Sequence, residues 1–261
     1  MRPNPVLRAW REGRQTIGGW LSIDSSLTAE VMAHQGFDWL CIDMQHGAVD
    51  YLTCLHMLQA ISSTSTVPFV RVPSNDFAEI GRALDAGAYG IVVPLVNNRA
   101  DAERAVRAVR YPPVGDRSSG PVRAAIYGGP DYQRHANEEI ACIVMIETVE
   151  ALQNLDEIMS TPGVDCAYIG PSDLAYALGI EPTGDNRDER HAATVMQILE
   201  AAKRHGIAPG VHTASVEFTT RWLEAGFQMV MLGADRAFMQ RQAAADLAAA
   251  RAASGSARVT G

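Results

Sequence analysis

Ala141-Cys-Ile-Val-Met-Ile-Glu147 and Asp165-Cys-Ala-Tyr-Ile-Gly-Pro-Ser-Asp173 are two apolar runs, one strand-plus-helix apart, and each closes on a carboxylate. A strand that is apolar on both sides of its pleat belongs to a parallel sheet covered on both faces. A carboxylate closing such a strand leaves water at a cost unless something cationic meets it. Two of them at neighbouring strand ends describe a hard-cation site at the mouth of a parallel β/α barrel, since one divalent ion with oxygen ligands meets both.

Outward from these runs the same unit recurs. His34-Gln-Gly-Phe-Asp-Trp-Leu, Asp85-Ala-Gly-Ala-Tyr-Gly-Ile-Val-Val, Arg204-His-Gly-Ile-Ala and Glu224-Ala-Gly-Phe-Gln-Met-Val each pass from a helical pattern through Gly into an apolar run. Gly just past a helix end is a stop signal, so its recurrence marks successive β/α units. Candidate strands fall at 16–23, 37–43, 67–72, 89–94, 141–147, 165–170, 207–211 and 227–232. About eight such units predict an α/β fold of the (β/α)8 TIM barrel type, one domain over residues 1–261. A doubly wound open sheet is the alternative, but Gly18-Gly19 sits inside the first strand rather than in a phosphate-binding turn after it, and nothing points to a nucleotide. Two segments break the rhythm. Tyr111 to Pro130, rich in Pro, Gly and Arg, reads as a functional loop at the barrel mouth, and Gly179 to Asp188 as a second polar insertion. The tail from Ala243 begins as an Ala-rich helix and is expected to fray after about residue 253.

A net charge of −8 and a pI near 5.3 oppose nucleic acid or an anionic membrane as partner, since both need clustered Lys and Arg. Met1 to Arg14 has no apolar signal core, and no stretch approaches the roughly 18 to 20 apolar residues of a membrane span. A soluble, cytoplasmic protein acting on small molecules is expected. Cys41, Cys54, Cys142 and Cys166 show no metal or redox spacing and read as reduced core residues.

In such a barrel the C-terminal strand ends face the active site, so the rim is read from them: Trp20 to Asp24, Asp43-Met-Gln-His46-Gly, Arg71, Pro94, Glu147, Ser172-Asp173 and His212. A purely structural barrel has no reason to gather His, Arg, Glu and Asp at one end. Asp173 also opens a helix after Pro171, so the amides there are free to receive a ligand carboxylate. A 2-oxo acid such as pyruvate suits a metal and these amides together, with Arg71 holding the keto oxygen as it becomes an enolate. Enolates of this kind are stabilised by a metal or by a lysine Schiff base. The chain's single lysine, Lys203, ends a helix on the side away from the mouth, which argues against the second route.

At these residues the chain resembles the metal-dependent 2-oxo-acid aldolases of the HpcH/HpaI family. The similarity rests on Gly19-Trp-Leu with Ala29-Glu30, Gly36 to Gly47, Val70-Arg71, Leu84-Asp-Ala-Gly87, Arg110 to Gly115, Ile146-Glu147, Asn154 to Ile158 and Ile169 to Leu174. The resemblance implies that His46 is the acid/base, working through water on the aldol hydroxyl, and that Asp85 orients it. It implies that Arg71 stabilises the enolate, that Glu147 and Asp173 bind Mg2+, Mn2+ or Co2+, and that the Ser172 and Asp173 amides hold the pyruvate carboxylate. It further implies a homo-oligomer, often a hexamer with an exchanged C-terminal helix. Many members have Glu where this chain has Gln45, and Gln where it has Met145, so the substrate contact at Met145 differs.

The expected activity is reversible cleavage of a 4-hydroxy-2-oxo acid to pyruvate, or hydroxypyruvate, and an aldehyde. A citrate-lyase-β-like acyl-CoA lyase and a non-catalytic 2-oxo-acid-binding barrel are the alternatives. Trp20 and His212 either line the aldehyde side or pack at the rim; Glu147 and Asp173 either bind metal or pair with Arg. Arg117 and Arg123 either attract an anionic group or solvate the loop. His205 reads as a helix-dipole partner, and His34, His56, His135 and His191 receive no role.

Overall fold

Thr16–Leu21 (β1), Trp39–Asp43 (β2), Val67–Arg71 (β3), Gly90–Val93 (β4), Ala141–Ile146 (β5), Cys166–Ile169 (β6), Ala208–Val211 (β7) and Met229–Ala234 (β8) pair in parallel in chain order, and β1 returns to β8 to close the ring. The structure, a computed structural model, describes residues 1–254. The eight runs expected from sequence are these strands, and the fold is a (β/α)8 TIM barrel. Strand residues are buried almost throughout because the barrel interior and the helix layer cover opposite sides of the sheet. Gly18 shows how tight the interior is: a Cβ there would lie 2.0 Å from the Trp39 ring. The glycine stops also hold, with Gly36, Gly87, Gly206 and Gly226 at positive φ between helix and strand. At the rim, Ser25, Asp50, Asp76, Asn98, Thr148 and Ser215 cap the helices that leave the strand ends by accepting backbone N–H groups.

The opposite end of the barrel departs from expectation in two ways. The N-terminus forms a helix, Pro5–Arg11, that plugs it: Val6, Leu7 and Trp10 are buried, and Trp10 packs on Phe69 at 5.9 Å. Asn4 ties the plug down by donating to the carbonyls of Tyr89 and Glu139. The Tyr111–Pro130 segment also lies there and not at the mouth. It carries a short helix, Val122–Gly128, and three arginines root it among the N-terminal strand ends and helix C-termini. Arg110 donates to the Ile140 and Gly163 carbonyls and to Asp165, which precede β5 and β6. Arg117 is buried against Tyr132 and Asp85, and Arg123 donates to the carbonyls of Leu58 and Ala86. Their role is structural.

The Gly179 to Asp188 insertion is a loop at the mouth, where Asp185 accepts from the Ala214 amide just beyond β7. The last helix, Asp235–Ser254, starts at the mouth, where Asp235 accepts from the amides of Ser22 and Ile23. Only Asp235 of this helix is buried, and every residue from 239 to 250 is exposed. The expected fraying after about 253 falls almost wholly outside the described residues. All four cysteines are buried and unpaired. Lys203 meets Glu200 at the end of Glu189–His205, on the plugged side, and His205 pairs with Asp156 at 2.8 Å. Among the described residues no helix is long and apolar enough to cross a membrane.

Candidate active site

Asp43 and Arg71 close β2 and β3 at the same register, which sets their side chains shoulder to shoulder. Arg71 Nε donates to Asp43 Oδ1 at 2.9 Å and Nη2 to Oδ2 at 2.6 Å, a bidentate pair buried at the rim. Oδ1 also accepts the amides of Gln45 and His46, so the turn that follows β2 is wound around this carboxylate. Burial alone would raise the Asp43 pKa, but the hydrogen bonds and charge of Arg71, with the His46 amide, hold it below the usual range. Arg71 Nη1 makes no hydrogen bond among the described residues and is left for a ligand. His46 stands exposed at the end of this turn.

Glu147 follows β5 and is only 3 % exposed. Its Oε1 accepts the Leu95 amide at 2.9 Å, offered by a backbone at φ 54°, a left-handed conformation that non-glycine residues seldom adopt. Burial, and then the like charge of Asp173, push the Glu147 pKa up. Neither carboxylate has an ion-pair partner within the described chain, where Arg71 is already engaged by Asp43. A Cβ on Gly170 would lie 2.5 Å from Glu147 Oε2, so the absence of a side chain there is what lets the carboxylate lie across the end of β6. Pro171–Ala177 then opens with the amides of Ser172 and Asp173, unbonded among the described residues, and its Asp173 is exposed at the mouth. No three His, Cys, Asp or Glu side chains converge into a cage among the described residues. Two carboxylates with water completing the shell is nevertheless an arrangement that Mg2+ commonly takes.

Trp20 forms the floor between these groups. It stacks on Tyr168 at 5.7 Å, carries the Arg71 guanidinium at 5.1 Å, and meets the His212 ring edge-on at 5.1 Å. Tyr168 and His212 share a hydrogen bond, hydroxyl to Nδ1, at 3.3 Å. Burial first, and then the positive charge of Arg71, push the His212 pKa down to about 3, so the ring is neutral through the physiological range. An unfolded histidine near 6.5 binds a proton that the folded one refuses, so this residue costs stability as pH falls from 6.5 towards 3. Urea titrations of His212→Leu should show that acid-side slope reduced by up to one proton; an unchanged slope would contradict the buried neutral ring.

Of the residues expected from sequence, Trp20, Arg71, Glu147, Ser172, Asp173 and His212 gather at the mouth with His46 on its edge. Met145 is at the rim but 2 % exposed, its methyl set against Gly170. Asp85 is not brought to His46 within the chain. It ends the helix Phe77–Asp85 on the plugged side and pairs with Arg117 at 2.9 Å. Sequence reasoning missed Asp43 as the partner of Arg71, although both close their runs, and gave no signal for Tyr168, which sits inside an apolar run.

A closed parallel barrel with its charged side chains collected at the C-terminal strand ends is a (β/α)8-barrel enzyme. The chain belongs to the HpcH/HpaI aldolase/citrate lyase family, which matches residues 16–241. It is 40% identical over 249 residues to a hydroxypyruvate/pyruvate aldolase of Rhizorhabdus wittichii, covering 95% of this chain and 99% of the relative. It is 39% identical over 245 residues to a 4-hydroxy-2-oxo-heptane-1,7-dioate aldolase of Escherichia coli, covering 93% of each. The crystal structure of an HpcH/HpaI aldolase/citrate lyase family protein from Burkholderia cenocepacia superposes with a TM-score of 0.89 at 36% identity, covering 95% of this chain and 99% of the other.

Proposed function

We propose that the protein is a divalent-metal-dependent aldolase that reversibly cleaves a 4-hydroxy-2-oxo acid into pyruvate, or a close 2-oxo acid, and an aldehyde. The observation that carries this reading is Glu147: a buried carboxylate facing Asp173, with one oxygen unbonded and no cationic side chain paired to it among the described residues. Such a pair has the donor chemistry for a hard divalent ion, and Mg2+ or Mn2+ is the ion proposed for Glu147 and Asp173. When bound, it supplies Lewis-acid polarisation of the substrate's 2-oxo group.

The chain's own groups account for the rest. The Ser172 and Asp173 amides hold the substrate carboxylate, and Arg71 Nη1 donates to the 2-oxo oxygen, where negative charge grows. In the cleavage direction, His46 accepts the C4 hydroxyl proton through water. The C3–C4 bond breaks, its electron pair passes into the C2–C3 enolate, and C4 leaves as the aldehyde. A proton then returns to C3. Asp43 fixes the angle of Arg71 and, through the His46 amide, the turn that carries the base. The exposed helix Asp235–Ser254 supports a homo-oligomer in which it packs on another copy, and a hexamer is the proposed assembly. The cytoplasm is the proposed location.

Exchange of the pyruvate methyl protons in D2O, followed by NMR, tests enolate formation without knowledge of the aldehyde. Exchange should require Mg2+ or Mn2+, stop with EDTA and return with added metal; exchange that never depends on metal overturns the reading. Gly170→Ala should slow exchange by on the order of 10^2-fold, because the new methyl displaces Glu147 Oε2 from its position. Exchange at the unsubstituted rate would show that this placement is immaterial.

A further inference from the structure

The groups assigned to the 2-oxo acid occupy one arc of the rim: Arg71 on β3, Glu147 after β5, and Ser172 and Asp173 after β6. A planar 2-oxo acid has three directions about C2. With its carboxylate at the end of β6 and its oxo group towards β3 and β5, the third, C3, points at the remaining arc, where Trp20 closes β1. Two histidines flank Trp20 there. His46, after β2, is taken up with the C4 oxygen. His212, after β7, has no part in the reaction.

His212 is held like a ligand-binding group and not like a loose rim residue. Its backbone amide donates to the Ile169 carbonyl, its ring edge lies against Trp20, and Nδ1 meets the Tyr168 hydroxyl. That contact decides which ring nitrogen carries the proton. Tyr168 is wholly buried, and among the described residues its hydroxyl has no other partner. If Nδ1–H donated to it, the phenolic proton would be stranded in an apolar interior, a cost of roughly 1–3 kcal/mol. The hydroxyl therefore donates to Nδ1, and the proton of the neutral ring sits on Nε2. Nε2 in turn has no partner among the described residues, yet is not among the buried unpaired atoms, so it keeps access to solvent at the end of β7.

We infer that His212 selects the nucleophilic substrate: its Nε2–H donates to the hydroxyl on C3 of a 3-hydroxy-2-oxo acid, so the site favours hydroxypyruvate over unsubstituted pyruvate. This rests on the aldolase reading above and adds to it a preference for the C3 substituent. A fixed neutral donor suits a hydroxyl, and it is left unpaired when pyruvate binds, which is how a polar pocket rejects the analogue lacking the group. Met145 and Trp20 offer no competing acceptor on that side, since Met145 is packed beneath the rim and the indole carries no acceptor atom, its N–H being buried.

The test measures C3-proton exchange in D2O for hydroxypyruvate and for pyruvate, with the same metal-loaded enzyme. The ratio of the two kcat/KM values should favour hydroxypyruvate in the natural protein and fall on the order of tenfold in His212→Leu, with pyruvate exchange retained. His212→Gln, which keeps an N–H donor, should hold an intermediate ratio. Tyr168→Phe, which frees the ring to place its proton on either nitrogen, should lower the ratio without abolishing pyruvate exchange. A ratio unchanged in both His212→Leu and Tyr168→Phe overturns the inference while leaving the aldolase reading intact. Absence of metal-dependent exchange with either acid overturns the aldolase reading itself. Should His212→Leu not fold, the Gln and Phe variants carry the same comparison.

Discussion

Glu147→Gln is expected to abolish metal-stimulated exchange, a loss of roughly 10^3-fold for the several kcal/mol that Lewis-acid stabilisation supplies, while leaving the metal-free fold as stable as before or more so. The two effects share one cause. Burial and Asp173 raise the Glu147 pKa, so the fold favours the neutral acid. Its favourable contribution is complete below the unfolded value of 4.5 and is lost as pH rises through the higher folded pKa. Above the unfolded value the metal-free fold is therefore penalised at this carboxyl, a penalty that the amide removes. Thermal melts in EDTA should show the gain at pH 7 and none at low pH, and Mn2+ titration should show weakened binding. Full exchange activity in this variant would discard Glu147 as a ligand.

Arg71→Met should be damaging in a different way, losing both activity and stability. Its guanidinium offers Nη1 to the oxo oxygen and spends Nε and Nη2 on Asp43. Without it, Asp43 becomes an uncompensated buried carboxylate, which costs about 3–5 kcal/mol where one partner of a buried pair is removed. The low Asp43 pKa reflects the same dependence: burial raises it, and the Arg71 bonds and charge lead the contributions that carry it below the usual value. Adding Asp43→Asn should recover much of the lost stability in urea titrations, yet leave enolate exchange silent. A double variant with restored exchange would remove Arg71 from the chemistry and reduce the pair to a structural bridge.

The strands were legible because parallel β/α units announce themselves twice, by a glycine stop and by an apolar run, and Gly36, Gly87, Gly206 and Gly226 all stand at positive φ as that reading requires. The rim was legible for the same reason, since strand ends at Arg71, Glu147 and His212 follow directly from the runs. What failed was the assignment of one loop to the mouth. Tyr111 to Pro130 follows the helix Arg99–Val109 and precedes β5, and Asp85 likewise closes the helix before β4, the helix-end position its sequence context allows. In a barrel every helix-to-strand connection lies away from the mouth, so chain order alone places both at the plugged side. Composition, with its Gly, Pro and Arg, argued the other way and was the weaker signal, because guanidinium groups serve as well for tying carbonyls at helix ends as for binding anions. Pairings across strands, such as Asp43 with Arg71 and Tyr168 with His212, depend on register and barrel stagger, which no single run of residues encodes.

The lone lysine has a practical consequence. Lys203 is the chain's single ε-amine, and it lies on the side of the barrel that the N-terminal helix closes, while the Met1 amine is paired with Asp131. Acylating reagents aimed at lysine thus find one ε-amine handle, remote from the catalytic rim. Coupled through it to a solid support, the barrels would stand with their mouths turned to the solution, and a fluorophore attached there would report on tumbling or assembly without touching the chemistry.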